Sequence, residues 1–335
     1  MRVVVIRTDD KLGETLLATP VFRALKETNK ELFVEAWLNP RWAYVVEASC
    51  WVDSLRKVPY RPRTLECVKL ARRLRRDRPD VALILRPDAR RHAWIAKIAR
   101  IPCRVGAVQQ RRSLHKLLTH VVSFRPEWHQ VERNLAIAEC FVGHSLPRFP
   151  LHFAPSVLAT PPSGVRSLPE GGYAVLHLGT GGVQPRWLPS RFAEVANWLA
   201  QAQRLTPVLT GAPSEVDFAE TCLQGIKKGA VNLVGKVTIA ELAEVLKRAK
   251  LLISVDTGVV HLAAAVGTPC VSLHFRLDYP PHQWYAWQVP NEVVVPSEYC
   301  RRCTPARCGD SASACVSSVQ AEAVIEATER LLARI

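Results

Sequence analysis

The amino-acid sequence predicts an α/β protein built as two doubly wound, Rossmann-like domains, and three observations predict it. At 335 residues the chain exceeds what one small hydrophobic core fills. Strand-like apolar runs alternate with helix-period segments along its length, the pattern of parallel sheets covered by helices on both faces. The alternation lapses once, around residues 147–172, where Pro, Ser and Gly accumulate without periodicity, and then restarts.

In the first half, residues 3–7, 32–38 and 81–85 read as strands, and 64–76, 89–100 and 131–142 as helices. After the break, 173–178, 207–210, 251–255 and 269–273 read as strands, with helices at 191–203, 215–223 and 239–249 and a closing helix at 320–332. The simplest architecture is two domains of similar size, residues 1–155 and 170–335, facing a central cleft. Apolar residues make up 48% of the chain, enough for a core in each half, and no apolar run is long enough to span a membrane. The opening Met1-Arg-Val-Val-Val-Ile6 is too short for a signal-peptide core and reads as the first strand. A cytoplasmic chain with most of its ten cysteines reduced is the expectation.

The net charge of +15 is unevenly placed. Residues 1–150 carry 29 Lys and Arg against 15 Asp and Glu, a balance of +14, and residues 151–335 carry 16 against 15. Such a field concentrates anionic ligands or holds a protein beside anionic lipid. The densest cluster, Arg72, Arg73, Arg75, Arg76 and Arg78, falls on a helix-period segment, where charge runs usually form a solvated face. No aromatic-interleaved basic motif marks a nucleic-acid reader, so nucleic acid is not the expected partner.

The most informative stretch runs from Leu251 to Pro269, an apolar strand that ends in Asp256-Thr257-Gly258 and passes into a small-residue helix. Ligands of open α/β sheets bind at such carboxyl ends, and the unpaired N–H groups of a helix start favour an anion such as a diphosphate. His261 follows one helical turn later, on the side of Thr257 or Gly258. Taken alone, the tripeptide reads as an ordinary strand-turn-helix capped by Asp or Thr. Gly179-Thr180-Gly181-Gly182, after the first strand of the second half, is a loop whose backbone amides can approach a phosphate. The first strand of the chain runs into Arg7-Thr-Asp9-Asp10-Lys11-Leu-Gly13-Glu14, where a carboxylate can act as a general base or simply favour the helix start. Pro20 inside the following helical pattern implies a kink or a late helix start.

Together, the Gly13-Glu14 opening with Pro20, the segment Trp187-Leu-Pro-Ser-Arg-Phe192 and Asp256-Thr-Gly-x-x-His261-Leu-Ala-Ala-Ala resemble glycosyltransferase family 9. The similarity extends to His129-Gln-Val-Glu-Arg133 and a Cys-rich tail, and so covers nearly the whole chain. This is the family of ADP-heptose:lipopolysaccharide heptosyltransferases. The resemblance implies a GT-B fold, with the acceptor on the N-terminal domain and the nucleotide-sugar on the C-terminal one. It implies an inverting single displacement, needing no cofactor, in which a carboxylate deprotonates the acceptor hydroxyl. Glu14 stands where the family usually has Asp, with Asp9 or Asp10 as the other candidate bases. A family Lys two residues before the Trp is replaced by Pro185, which leaves Arg186 as the cation for the diphosphate. Thr180, Gly181, Asp256, Thr257, Gly258 and His261 complete the implied donor site. The implied acceptor is an anionic, lipopolysaccharide-core type glycolipid at the inner leaflet, met through basic residues among Arg61, Arg63, Arg104, Arg111 and Arg112. The alternatives are another sugar nucleotide, a protein acceptor, or a non-catalytic relative.

In the tail, Cys300, Cys303, Cys308 and Cys315 have the character of a tetrahedral zinc or iron site, with iron implied by the protein-heptosylating branch of the family. A disulfide or unligated thiols are the other readings of that spacing. The remaining six cysteines read as small core residues. An aromatic-rich loop, residues 274–287, follows a strand end and can flank a nucleotide base.

Overall fold

A computed structural model describes residues 1–110, 112–156, 168–169, 171–181, 185–227, 229–299 and 313–335. The chain divides into two compact units, Met1–Ser156 and Val157–Ile335.

The N-terminal unit runs β1 (Arg2–Arg7), α1 (Leu12–Leu16), α2 (Thr19–Thr28), β2 (Phe33–Leu38), β3 (Ser54–Lys57), α3 (Thr64–Asp77), β4 (Val81–Ile84), α4 (Arg90–Ile98), β5 (Cys103–Ala107), β6 (His120–Val122) and α5 (Gln130–Val142). Its strands lie in the order β3-β2-β1-β4-β5-β6, all parallel, so the order reverses between β1 and β4. That order is the doubly wound nucleotide-binding topology, whose ligand crevice lies outside the strands' carboxyl ends at the reversal. The inner strands are buried on both faces, and this is why they read as unbroken apolar runs.

The C-terminal unit runs β7 (Tyr173–His177), α6 (Pro189–Ala202), β8 (Thr206–Thr210), α7 (Val216–Gly225), β9 (Val231–Asn232), α8 (Ile239–Arg248), β10 (Leu251–Val255), α9 (Gly258–Val266), β11 (Cys270–Leu273), α10 (Pro281–Trp284), β12 (Asn291–Val294), α11 (Ala314–Ser318) and α12 (Ala321–Leu332). Its sheet, β12-β11-β10-β7-β8-β9, repeats the same topology with the reversal between β7 and β10. Trp187 and Phe192, the ends of one segment on which the resemblance rests, are core residues. Their rings meet edge-on at 4.9 Å, and the Trp187 indole N–H donates to the Val319 carbonyl at 2.9 Å.

The expected strands and helices are all present, with ends shifted by a residue or two, but β3, β5, β6, β9 and β12 were not anticipated. Most are short flanking strands carrying polar residues, too brief for a period to register. Arg104, one of the basic residues implied for the acceptor, lies in β5. The Arg104 guanidinium donates to the carbonyls of Leu117 and Ile101, so it fastens the chain locally. Gly106 lies where a Cβ would press within 3.3 Å of Leu118. Nor is residue stretch 147–156 a free linker: backbone bonds join Ala154 to Val45 and Ala48, and His152 N–H donates to Thr19 Oγ1 at 2.9 Å. Of the six scattered cysteines, Cys67, Cys222 and Cys270 are buried, whereas Cys103 is partly exposed and Cys50 and Cys140 are exposed on the surface.

Pro20 sits in the first turn of α2 and breaks the helical path into α1 and α2, which places Glu14 in a short separate helix at the carboxyl end of β1. His129, at the end of the first half's shared motif, caps α5. Its Nδ1 accepts the Val131 N–H at 3.2 Å while Glu132 accepts the His129 N–H at 3.1 Å.

Candidate active site

β1 is apolar from Val3 to Ile6, closes on Arg7, and the chain stays polar beyond it with Thr8 and Asp9. The Arg7 guanidinium is only 3% exposed and everything around it converges on it. Its Nε lies 2.8 Å from Asp9 Oδ2, and one terminal nitrogen donates to Glu14 Oε2. The other donates to the Leu85 carbonyl at 3.2 Å and to Asn134 Oδ1 at 3.1 Å. Burial opposes the Arg7 charge, yet the carboxylates of Asp9 and Glu14 more than offset it, so Arg7 stays protonated. Across the strand-order reversal, Arg86 reaches the second oxygen of Asp9 at 3.3 Å. Asp9 therefore has both oxygens against arginines, whereas Glu14 rests on Arg7 through Oε2 alone. Burial pushes the Glu14 carboxyl above the ordinary glutamate range; Arg7 and Lys11 pull it back and Asp9 pushes it further up. A carboxylate of raised basicity, anchored by one oxygen, has the properties a general base needs. Asp10 is largely exposed, 4.0 Å from Arg41. His92 is buried beside this cluster, its Nε2 3.1 Å from Thr8 Oγ1. Burial, aided by Arg86, pushes its pKa down to about 4, so it is neutral at pH 7.

In the C-terminal unit the loops after β7 and β10 lie at the reversal of strand order, with His177 in register with Ser254. Thr257 caps α9, its Oγ1 accepting the Val259 N–H at 3.3 Å, and Gly258 opens the helix. Asp256 is buried, its amide held by the Leu273 carbonyl and its carboxylate 3.7 Å from His274 Nδ1. His261 is buried on the first turn of α9, its ring 6.4 Å from that of Trp284, which in turn touches Tyr279 at 5.3 Å. Trp284 of the aromatic-rich segment thus lies near the first turn of α9. Arg276, also buried, forms a fork with Asp278 and lies over the Tyr279 ring.

The loop after β7 differs from the sequence expectation in one respect. Glu215 sits beneath it, its carboxylate accepting the Thr180 N–H at 3.3 Å and the Ala212 N–H at 2.7 Å. A Cβ on Gly179 would lie 2.6 Å from that carboxylate and 2.7 Å from His177 Nε2, so glycine is required there for close approach. Thr180 spends its amide inside the protein, while Gly181, at φ +60°, is exposed. His177 Nδ1 pairs with Thr210 Oγ1 at 3.0 Å, and burial drives its pKa to about 4.

The structure brings Asp256, Thr257, Gly258 and His261 onto one turn, with Thr180 and Gly181 on the neighbouring strand's loop. Arg186 is half-buried with its guanidinium over the Phe218 ring, 5.5 Å from the centroid. Cys300, Cys303 and Cys308, with Arg111, lie outside the described residues, as does the side chain of Arg112; Cys315 is buried, its Sγ 3.3 Å from Ser313 Oγ. Among the described residues no group of three or more His, Cys, Asp or Glu is arranged to hold a metal. Arg61 lies over the Tyr60 ring, and Arg63 precedes α3, its amide held by Glu66. Sequence reasoning missed Arg7, His177 and His274, although a polar residue closing an apolar strand marks each of them. It also missed Asn134, Arg86 and Glu215, which no local pattern marks.

Comparison with known proteins follows the same lines. The model of glycosyltransferase family 9 (heptosyltransferase) matches residues 67–311. Lipopolysaccharide heptosyltransferase 3 of Escherichia coli (strain K12) is 27% identical over 349 residues, covering 96% of this chain and 95% of that protein. A family 9 glycosyltransferase from Veillonella parvula has the same fold, with a TM-score of 0.81 at 20% identity, covering 100% of this chain and 97% of that one. The E. coli heptosyltransferase WaaC with ADP superposes with a TM-score of 0.70 at 20% identity, all of both chains being covered. With two parallel α/β units of the GT-B kind and a family match spanning most of its length, the chain belongs to glycosyltransferase family 9 (heptosyltransferase) and is a glycosyltransferase.

Proposed function

We propose that this enzyme transfers a heptose from ADP-heptose to a hydroxyl of a lipopolysaccharide-core type acceptor, with inversion, and that Glu14 is the base. The observation that carries the reading is the partly buried Glu14 carboxylate, raised in basicity and fastened by one oxygen to Arg7. In the reaction Glu14 takes the acceptor hydroxyl's proton as the new C–O bond forms at the anomeric carbon. The bond to the diphosphate breaks and ADP departs with its electron pair. Thr257, Gly258 and the start of α9 receive the departing charge, Asp256 hydrogen-bonds the donor sugar, and His261 flanks the phosphates; Gly181 and Arg186 are the further donor contacts. Residues 1–155 take the acceptor and 170–335 the donor. The WaaC structure, which holds ADP in the same fold, supports the choice of nucleotide. Thermal unfolding with added nucleotide tests it: ADP at 100 times its dissociation constant adds about 2.7 kcal/mol of stability and raises the melting temperature. A response to GDP or UDP but not ADP would reject ADP-heptose as donor.

The same reading gives the basic N-terminal unit a partner, an anionic bilayer surface. Leu65, Lys69, Arg72, Arg73 and Arg76 recur at helical spacing on α3, all exposed, and Leu65 leaves 77% of its surface open. On α4, which packs beside α3, Arg90, Arg91 and Lys97 are exposed together with Ile98. Cationic heads around exposed apolar side chains suit headgroups above an acyl boundary, at about 1 kcal/mol per basic residue. No helix among the described residues is long and apolar enough to cross a membrane. Combining Arg72→Glu, Arg73→Glu and Arg76→Glu is expected to weaken binding to phosphatidylglycerol vesicles roughly a hundredfold, leaving turnover of a delipidated acceptor intact. Equal binding by the triple variant would remove α3 from the reading.

A further inference from the structure

We propose that Asn134 is a positioning residue for the reaction, tying the helix that carries Glu14 to the guanidinium on which Glu14 rests. The inference rests on the reading of Glu14 as base.

The argument begins with Pro20. In an unbroken helix the Leu16 carbonyl would accept the N–H of residue 20, which proline lacks, and the Leu17 carbonyl would accept that of Val21. Instead the Val21 N–H turns to the Ala18 carbonyl, and two carbonyls at the end of α1 lose their helical partners. Thr19 Oγ1 supplies a bond to Leu16, and the Asn134 side chain supplies one to Leu17 at 2.9 Å. Asn134 comes from α5, and its other amide atom, Oδ1, accepts from Arg7 at 3.1 Å. It is 1% exposed, with donor and acceptor both engaged. One buried amide therefore holds two things at once, the C-terminal end of the base's own helix and the cation that grips the base. A carboxamide does this because it is a donor and an acceptor in one plane without adding charge. An Asp there would repel Glu14, and an aliphatic residue would leave the Leu17 carbonyl unpaired.

Loss of Asn134 leaves Arg7 on Asp9 and the Leu85 carbonyl but cuts its tie to the end of α1, so Glu14 and the guanidinium lose their fixed spacing and the cation lowers the carboxyl's basicity less. The other charges facing Glu14 are Asp9 and Lys11 from the loop after β1 and Arg133 from α5, with Arg86 on Asp9; none of them is held by Asn134. The Glu14 titration then moves to higher pH by about one unit.

The test uses the full-length chain and two readouts. The first is the carboxyl ¹³C resonance of Glu14 against pH, identified by its absence in Glu14→Gln. The second is ADP release from ADP-heptose with a Kdo-bearing lipid A acceptor. Asn134→Ala is expected to raise the Glu14 midpoint, to lower kcat at pH 7 by up to about tenfold with the donor KM unchanged, and to recover rate at higher pH. Thr19→Val strips the neighbouring carbonyl of its side-chain bond without touching Arg7, and it should leave the midpoint in place. Should Asn134→Ala fail to fold, Asn134→Gln keeps the amide one methylene displaced and gives a smaller shift in the same direction. An unmoved midpoint in folded Asn134→Ala, or an equal shift in Thr19→Val, overturns the positioning role. Retained transfer in Glu14→Gln overturns the base assignment, whatever the titration shows.

Discussion

Replacing Glu14 by Gln is expected to lower kcat by a factor on the order of 10³ while leaving the ADP-induced rise in melting temperature unchanged. The amide keeps the shape of the side chain and an oxygen for Arg7, but it cannot accept a proton. In the parent enzyme the rate should rise with pH as the base ionises, through a midpoint above the ordinary glutamate value of 4.5. The sign follows from the causes: burial disfavours the charged form, and Asp9 adds like-charge repulsion that Arg7 and Lys11 only partly cancel. Asp9→Asn is the informative companion. Asp9 is gripped through both oxygens by Arg7 and Arg86, so its loss should loosen Arg7 and reduce the rate without abolishing it. Activity kept in Glu14→Gln and lost in Asp9→Asn would move the base to Asp9.

The second large effect is on stability in mild acid. His92, His177 and His274 are buried neutral, each with its pKa pushed by burial from 6.5 down to about 4. Between those values the unfolded chain takes up protons that the native chain refuses. Stability is thus fully present above pH 6.5 and falls as the pH drops toward 4. At pH 5 the loss is roughly 2 kcal/mol for each histidine. Glu14, whose pKa is raised, works in the opposite direction in part of the same range, while His152, also lowered by burial, adds to the loss. Two of the three histidines stand at the carboxyl edge of the C-terminal unit's sheet, so that unit should soften first. Urea unfolding at pH 7 and pH 5 measures the loss, and equal midpoints at the two pH values would show that these rings titrate normally.

How much of this was legible in the sequence depended on how local the cause was. Unbroken apolar runs such as Leu251–Val255 announced strands because parallel strands are covered on both faces. Asp256, Thr257 and Gly258 were legible because capping and turn chemistry act within a few residues. Pro20 foretold a broken helix for the same reason. The short flanking strands were missed because their stability comes from a neighbour's backbone, as with β12 alongside β11. Arg104 looked like an acceptor contact, since a basic residue reads the same in sequence whether it meets a ligand or fastens a strand to its neighbours' carbonyls.

Charge pairing was the least legible part. Nothing near Arg7 in the chain says that it will meet Asn134, 127 positions on, or that Asp9 will be shared with Arg86. By itself the sequence determined the alternating architecture, the strand-end motifs and, through them, the family. Tertiary structure alone decided that the Glu14 carboxyl is raised in basicity, because that depends on the depth of burial and the distance to fixed charges. It also decided that Thr180 gives its amide to Glu215. Hydrophobic period and turn chemistry are written residue by residue along the chain, whereas the field at a buried carboxyl is summed over groups that only folding brings near.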